Sequence, residues 1–210
     1  MKSENGRSMV EMLGVLAIIG VLSVGVISGY SKAMMKYKLN KQTEQLNQVV
    51  NSVIKYVHIM DSYKQAQNLT SLFVKLGEIP REMLKNNNDN YFYDVFNTRM
   101  YIYNEVDNSN NKNWHALIIY VNLPLLSNSN DSLEICRNVL TVAKENSADI
   151  NSVYTTSGSG TDDNRKFYFN GDKNCKNNKV CLRNMTINNI YEACTKHLGN
   201  QNATLKFEFK

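Results

Sequence analysis

Residues 12–31 read MLGVLAIIGVLSVGVISGYS and contain no charged side chain. Apolar positions occupy every side of the helix this segment would form, so it has no polar face to turn toward water. At ~1.5 Å per residue the run spans ~30 Å, the thickness of a bilayer's hydrocarbon core. A secretory signal has a shorter apolar stretch, and no small-residue cleavage site stands before Lys32. The pattern predicts a membrane helix. Gly25 and Gly29 form a G-x-x-x-G step, with Ala33 one turn further. Small residues at this spacing let two helix backbones approach closely in lipid.

The pattern changes over residues 32–60, but no helix breaker interrupts it. Leu39, Thr43, Leu46, Val50, Val53, Val57 and Met60 follow alternating steps of four and three. Such spacing makes one helix face, with Lys, Gln and Asn expected on the other. The helix is therefore expected to continue beyond the membrane and to pack its apolar face on a sheet. A freestanding coiled coil would leave the later strands uncovered.

Residues 69–85 predict a short helix on Leu69, Leu72, Phe73 and Leu76, ended by Gly77, with Pro80 opening another turn. Strands are predicted at 100–103, 117–121 and 167–169, separated by Asn-rich loops at 86–90 and 108–113. Residues 132–145 read as a helix. The last segment, 204–209, alternates: Leu205, Phe207 and Phe209 face one way, Thr204, Lys206 and Glu208 the other. That is the signature of a half-buried strand. The sum is an α+β chain with one globular head.

Composition sharpens this picture in one respect. The 210 residues are 42% hydrophobic, and the mean hydropathy is −0.41. Neither value describes a chain that divides into a membrane-grade run and a polar head. A net charge of +5 lacks any long Lys/Arg block. Lys32, Lys36, Lys38 and Lys41 follow the apolar run, while only Lys2 and Arg7 precede it. The positive-inside tendency alone would place the C-terminal bulk in the cytoplasm. The four cysteines, at 136, 175, 181 and 194, favour an oxidising compartment instead.

Four cysteines allow three disulfide connectivities. Cys175 and Cys181 flank a polar loop that they could close locally. Zinc is the rival reading, with Cys175, Cys181, Cys194 and His197 as ligands, although the spacing of the first pair is loose for a structural site. His58 and His115 are isolated, and His58 is expected on the surface or at an interface. Asp162 and Asp163 lie in a Gly/Ser/Thr loop over 155–163 and read as solvated turn residues. No nucleophile elbow, zinc-protease or phosphate-loop pattern occurs. No enzymatic activity, metal or cofactor is expected. Tyr91, Tyr93, Tyr101, Tyr103 and Tyr120 lie in predicted strand regions, where sheet packing is the default. Nucleic acid is not an expected partner.

The segment before the apolar run adds a specific pattern. A polar leader ends at Gly6, Arg7 follows, and Glu11 stands at the mouth of the hydrophobic helix. A carboxylate there is costly unless it finds a partner. This arrangement resembles the type IV prepilins, whose leader ends in glycine and is cut on the cytoplasmic side, with a glutamate five residues after the cut. The chain departs from the family at Arg7, where phenylalanine or methionine is usual. The later order resembles type IVb pilins, including conjugative thin-pilus subunits. It shares a Leu-Gly-x-Ile-Pro-x-x-Met segment over 76–83, a strand ending near Asn122-Leu-Pro124, a cysteine opening a helix at Cys136, and Ala193-Cys194 before the last strand.

The resemblance implies a leader (1–6), a membrane and assembly half-helix (7–31), an amphipathic half (32–60) and a pilin head (61–210). It implies cleavage between Gly6 and Arg7, N-methylation of Arg7, and assembly through Glu11, Gly25 and Gly29. The implied fold is a pilin-like αβ-roll, a long helix on an antiparallel sheet. Type IVb pilins carry a long-range bridge, which favours Cys136–Cys194 with Cys175–Cys181. The implied function is a structural pilus subunit. The implied partners are further copies of the chain, a prepilin peptidase, the assembly machinery and, before assembly, the inner membrane with the head in the periplasm. A minor pilin or secretion pseudopilin shares every N-terminal feature. A single-pass, membrane-anchored periplasmic binding protein or enzyme is the remaining alternative.

Overall fold

The computed structural model describes residues 9–59, 65–85, 88–107, 114–123, 130–157, 165–176, 179–196 and 203–210. They form two units, up to Lys38 and from Leu39 onward. A single helix, α1 (Met9–Val57, 49 residues), supplies the described part of the first unit and the opening of the second. The architecture is α+β: a long helix, apolar in its first half, and an antiparallel sheet, with two disulfides.

The head contains β1 (Gln67–Asn68), α2 (Thr70–Lys75), β2 (Phe92–Tyr93), β3 (Arg99–Asp107) and β4 (Trp114–Asn122). After these come α3 (Asn130–Glu145), β5 (Ser152–Ser157), β6 (Arg165–Asn170), α4 (Ile187–Lys196) and β7 (Ala203–Phe209). Short 3-10 turns occur at Arg81–Met83, Asp172–Asn174 and Leu182–Asn184. The strand order is β1-β3-β4-β7-β5-β6, with β2 also paired to β3. Every pairing of these strands is antiparallel.

The last strand therefore sits in the middle of the sheet, between β4 and β5. Its Leu205, Phe207 and Phe209 are buried, as are their cross-strand neighbours Ile119, Val121 and Val153. The opposite face of β7 is also covered at its end: Glu208 is only 3% exposed. The half-buried strand is otherwise as expected, with Leu205, Phe207 and Phe209 on the buried face and Thr204 and Lys206 partly exposed on the other.

Two glycines have backbone reasons. Gly77 ends the turn after α2 with a φ of 75°, a conformation that L side chains rarely adopt. At Gly171 a Cβ would overlap the Ile150 carbonyl. That close approach lets Gly171 N donate to Asn151 O at 2.9 Å and fixes the loop after β6.

From Leu39 onward α1 buries Leu46, Val49, Val50, Val53 and Val57, and it also buries Gln42, Gln45 and Ser52. Gln42 is 0% exposed and Gln45 is 4% exposed. The expected division, with glutamines on the outer face, is therefore corrected. The reason is a polar network reaching the turn after β2. Gln42 Nε2 donates to Asp94 Oδ2 at 2.6 Å, and Asn138 Nδ2 donates to Gln42 Oε1 at 2.9 Å and to Leu39 O at 3.0 Å. Asp94 Oδ1 accepts from Phe96 N at 2.9 Å and Thr98 N at 2.8 Å. Gln45 Oε1 accepts from Val95 N at 3.0 Å. Burial pushes the Asp94 carboxyl above its ordinary range, against the lowering pull of the Gln42 and Thr98 hydrogen bonds.

A second latch lies further along α1. Glu78 accepts from Lys55 Nζ at 2.6 Å, from Tyr56 OH at 2.9 Å and from Ser52 Oγ at 3.1 Å. Lys55, and then Tyr56, hold its carboxyl below the usual carboxylate range. The Tyr56 ring meets Phe73 edge-on, with centroids 5.6 Å apart. Apolar packing supplies most of the driving force here, while the directional bonds specify rotation and register.

Candidate functional surfaces

Among the described residues, α1 alone is long and apolar enough to cross a membrane, by length and composition. Its large apolar side chains from Met9 to Ile27 are all exposed, with Val10, Val21, Val24 and Val26 at 70–75%. Because they lie on every side, no single groove could cover them. Lipid or several neighbouring helices could. Ser23 turns its hydroxyl back to Ile19 O at 2.7 Å, which removes a polar group from the apolar surface.

Glu11 lies in the first turn of α1 as described, where a carboxylate complements the helix dipole. Gly25 and Gly29 lie on the same helix, and a side chain at either would meet open space. Their small size is therefore not required by any contact among the described residues. Gly6 and Arg7 lie outside the described residues, as do Met60, Asp162, Asp163 and His197. His58 is exposed just beyond the end of α1, and His115 is half-buried in β4.

The structure joins Cys136 to Cys194 and Cys175 to Cys181, and all four cysteines are used. Cys136 on α3 and Cys194 on α4 are buried, with Cα atoms 6.0 Å apart. Lys144 Nζ adds a hydrogen bond to Met185 O at 2.8 Å, tying α3 to the turn before α4. Cys175 and Cys181 close the loop that follows β6, with Cα atoms 5.5 Å apart. Cys175, Cys181 and Cys194 are therefore not a converging set of thiolates for zinc.

One face of the sheet carries a row that sequence reasoning did not assemble. Tyr101, Tyr120, Lys206, Tyr154 and Tyr168 are consecutive cross-strand partners on β3, β4, β7, β5 and β6. Tyr101 and Tyr120 stack with centroids 4.4 Å apart, and Tyr154 and Tyr168 stack at 5.8 Å. Between these pairs, Lys206 Nζ lies 4.6 Å from the Tyr120 ring and 5.6 Å from the Tyr154 ring. Glu105 accepts from Lys206 Nζ at 2.9 Å and from the Tyr120 hydroxyl. Burial pushes the Tyr101 hydroxyl up to about 12. The ring faces are largely spent on one another and on a cation, so this row is a brace for the sheet rather than an open stacking platform.

Next to Tyr168 lies a cleft of about 300 Å³, bordered also by Asn170, Asn174, Lys176, Lys179 and Glu208. The Glu208 carboxylate is organised from below, by Asn151 Nδ2 at 2.5 Å and Ser152 Oγ at 2.8 Å. Lys210 Nζ pairs with it at 3.4 Å. Asn174 donates to the Asn151 carboxamide oxygen, which holds the loop wall against the sheet. Residues from β5's entry, β6, the disulfide loop and the C-terminus meet here, and no contiguous motif announces them.

No protein-family model, no curated protein and no solved structure matches this chain. Fold and surfaces define the class: an α+β, disulfide-linked head following an N-terminal helix apolar enough to span a bilayer.

Proposed function

We propose that the chain is a structural subunit of a type IV pilus, closest to the type IVb pilins. It enters the inner membrane through the apolar half of α1, with the head in the periplasm. A prepilin peptidase cuts between Gly6 and Arg7, Arg7 is N-methylated, and the assembly machinery packs many copies into an extracellular filament. The work is association rather than catalysis, and neither metal nor cofactor takes part.

The observation that carries this reading is Glu11. It stands in the first turn of a helix whose apolar side chains are exposed all round, five residues after Gly6 in a prepilin-like leader. Cleavage creates a cationic amine on Arg7. In a filament core built from such helices, Glu11 of one subunit meets the amine of a neighbour. Leaving one partner of a desolvated pair unpaired costs ~3–5 kcal/mol, so the pair specifies axial register. Gly25 and Gly29 then let neighbouring backbones close in. The two disulfides brace the head against pulling forces along the filament.

Substituting Glu11→Val tests this directly. The variant is expected to be processed and to keep the near-ultraviolet circular dichroism of the folded head, yet to yield no filaments by negative-stain microscopy. Normal filaments from Glu11→Val would overturn the assembly role.

A further inference from the structure

The head cleft beside Tyr168 has a chemistry that filament assembly does not use. Three lysines border it, Lys176, Lys179 and Lys210, against one carboxylate, Glu208. Glu208 is already satisfied by Asn151, Ser152 and Lys210. Lys176 and Lys179 are exposed and make no ion pair with the described residues. The cleft thus presents unspent positive charge. An anionic group on the ligand answers it.

A bare inorganic anion suits the cleft poorly. The Asn151 carboxamide is engaged by Glu208 and Asn174, and the Asn170 and Asn174 amide nitrogens already donate within the fold, so these two side chains bring mainly their acceptor oxygens to the cleft. Acceptors facing a phosphate are repulsive. They require a ligand that also donates, which hydroxyl groups do. Asn170 and Glu208 are each 3% exposed, so their positions are set by the fold and not by solvent. Tyr168 borders the otherwise polar cleft and is held in place by its stacking on Tyr154. The volume lies at the lower end of the ~300–1,000 Å³ of small-molecule sites, which is room for one ring rather than a chain.

We propose that this cleft binds one acidic sugar residue, a pyranose bearing a carboxylate and adjacent hydroxyls. Lys176 and Lys179 take the carboxylate. The carboxamide oxygens of Asn170 and Asn174 take the hydroxyls, and Tyr168 borders the sugar at the rim of the cleft. Lys176 and Lys179 lie inside the short stretch that the Cys175–Cys181 bridge closes. In a filament this would make the head a receptor for acidic glycans. The binding itself does not depend on assembly.

Equilibrium dialysis of radiolabelled glucuronate against the detergent-solubilised full chain tests the proposal, with glucose and inorganic phosphate as competitors. Expected is saturable glucuronate binding that neither competitor displaces at equal concentration. A Lys176→Ala/Lys179→Ala variant should keep the near-ultraviolet dichroism of the head and bind about tenfold or more weakly, because charge-assisted bonds are the strong ones. Absence of saturable binding, or undiminished binding by the folded variant, would overturn it. So would equal competition by phosphate, which marks a simple anion patch, or by glucose, which marks a neutral-sugar site. None of these outcomes bears on whether Glu11→Val filaments form, so the two readings fail separately.

Discussion

Gln42 fixes the register of α1 on the head, and Gln42→Leu measures how much its bond to Asp94 contributes. The side chain is fully buried, with its donor on Asp94 at 2.6 Å and its acceptor under Asn138 at 2.9 Å. A hydrogen bond to a charged group contributes ~1.5–3 kcal/mol, and a neutral one ~0.5–1.5 kcal/mol. The Asn138 bond to Leu39 O is separate and survives, and the second Asn138 N–H, only partly buried, can turn to water, so the neutral bond is counted at the low end of its range. Leucine returns ~1 kcal/mol by burying more apolar surface. The net destabilisation is about 2 kcal/mol near neutral pH.

The pH dependence supplies an internal control. Burial raises the Asp94 pKa in the folded head, so the folded state holds this proton more tightly than the unfolded chain. The stability from that proton is fully present below an unfolded value of ~3.9 and is lost as pH rises through the folded value. Removing the Gln42 bond, a lowering influence, raises the folded pKa further and enlarges the loss. The destabilisation by Gln42→Leu should therefore shrink to about 1 kcal/mol near pH 3, where the acceptor is neutral. Urea unfolding of the detergent-solubilised chain, followed by near-ultraviolet dichroism, reads both values. A destabilisation below ~0.5 kcal/mol, or one that does not change with pH, would refute the network as the register-setting contact.

Three further outcomes follow from the head. Breaking Cys136–Cys194, a loop of sequence separation 58, should lower stability by about 4 kcal/mol in the chain-entropy account, against about 2 for Cys175–Cys181 at separation 6; urea midpoints of the two double-alanine variants give the ratio. Glu78 has a folded pKa below its unfolded value, so its contribution is present above ~4.3 and is lost as pH falls. Glu78→Gln should accordingly flatten the fall in melting temperature between about pH 6 and pH 3, and an unchanged slope would contradict the Lys55–Tyr56 latch. Tyr101→Phe should remove the component near 12 from the ultraviolet tyrosinate titration, because burial holds that hydroxyl above its ordinary value.

The two halves of α1 were legible because their signals are local: an uncharged run, and then a period of three and four. The glutamines on its buried face were not. A buried Gln42 makes sense only once Asp94, 52 residues away, is known to receive it. β5 is not evident in the sequence because 155–163 reads as a Gly/Ser/Thr loop; Thr155–Ser157 belong instead to the strand, where Val153 and Thr155 are buried beside β7. α4 was missed although it carried a readable signal. Thr186 Oγ1 accepts from Asn189 N at 3.2 Å, and Thr186 N donates to Asn189 Oδ1 at 3.0 Å. That is a capping box with asparagine in place of Glu or Gln. The insertion of β7 between β4 and β5 is long-range and leaves no local pattern. The same holds for the cleft, whose walls come from separate stretches of the chain. The candidate assembly residues were legible because leader, Glu11 and apolar helix are contiguous.

The most direct test of the pilus reading is the intact mass of this chain in filaments sheared from the cell surface. The account predicts that the chain is present there, that it begins at Arg7 and lacks residues 1–6, and that it carries one added methyl group. A chain confined to the membrane fraction, with its mass still including residues 1–6, would contradict it.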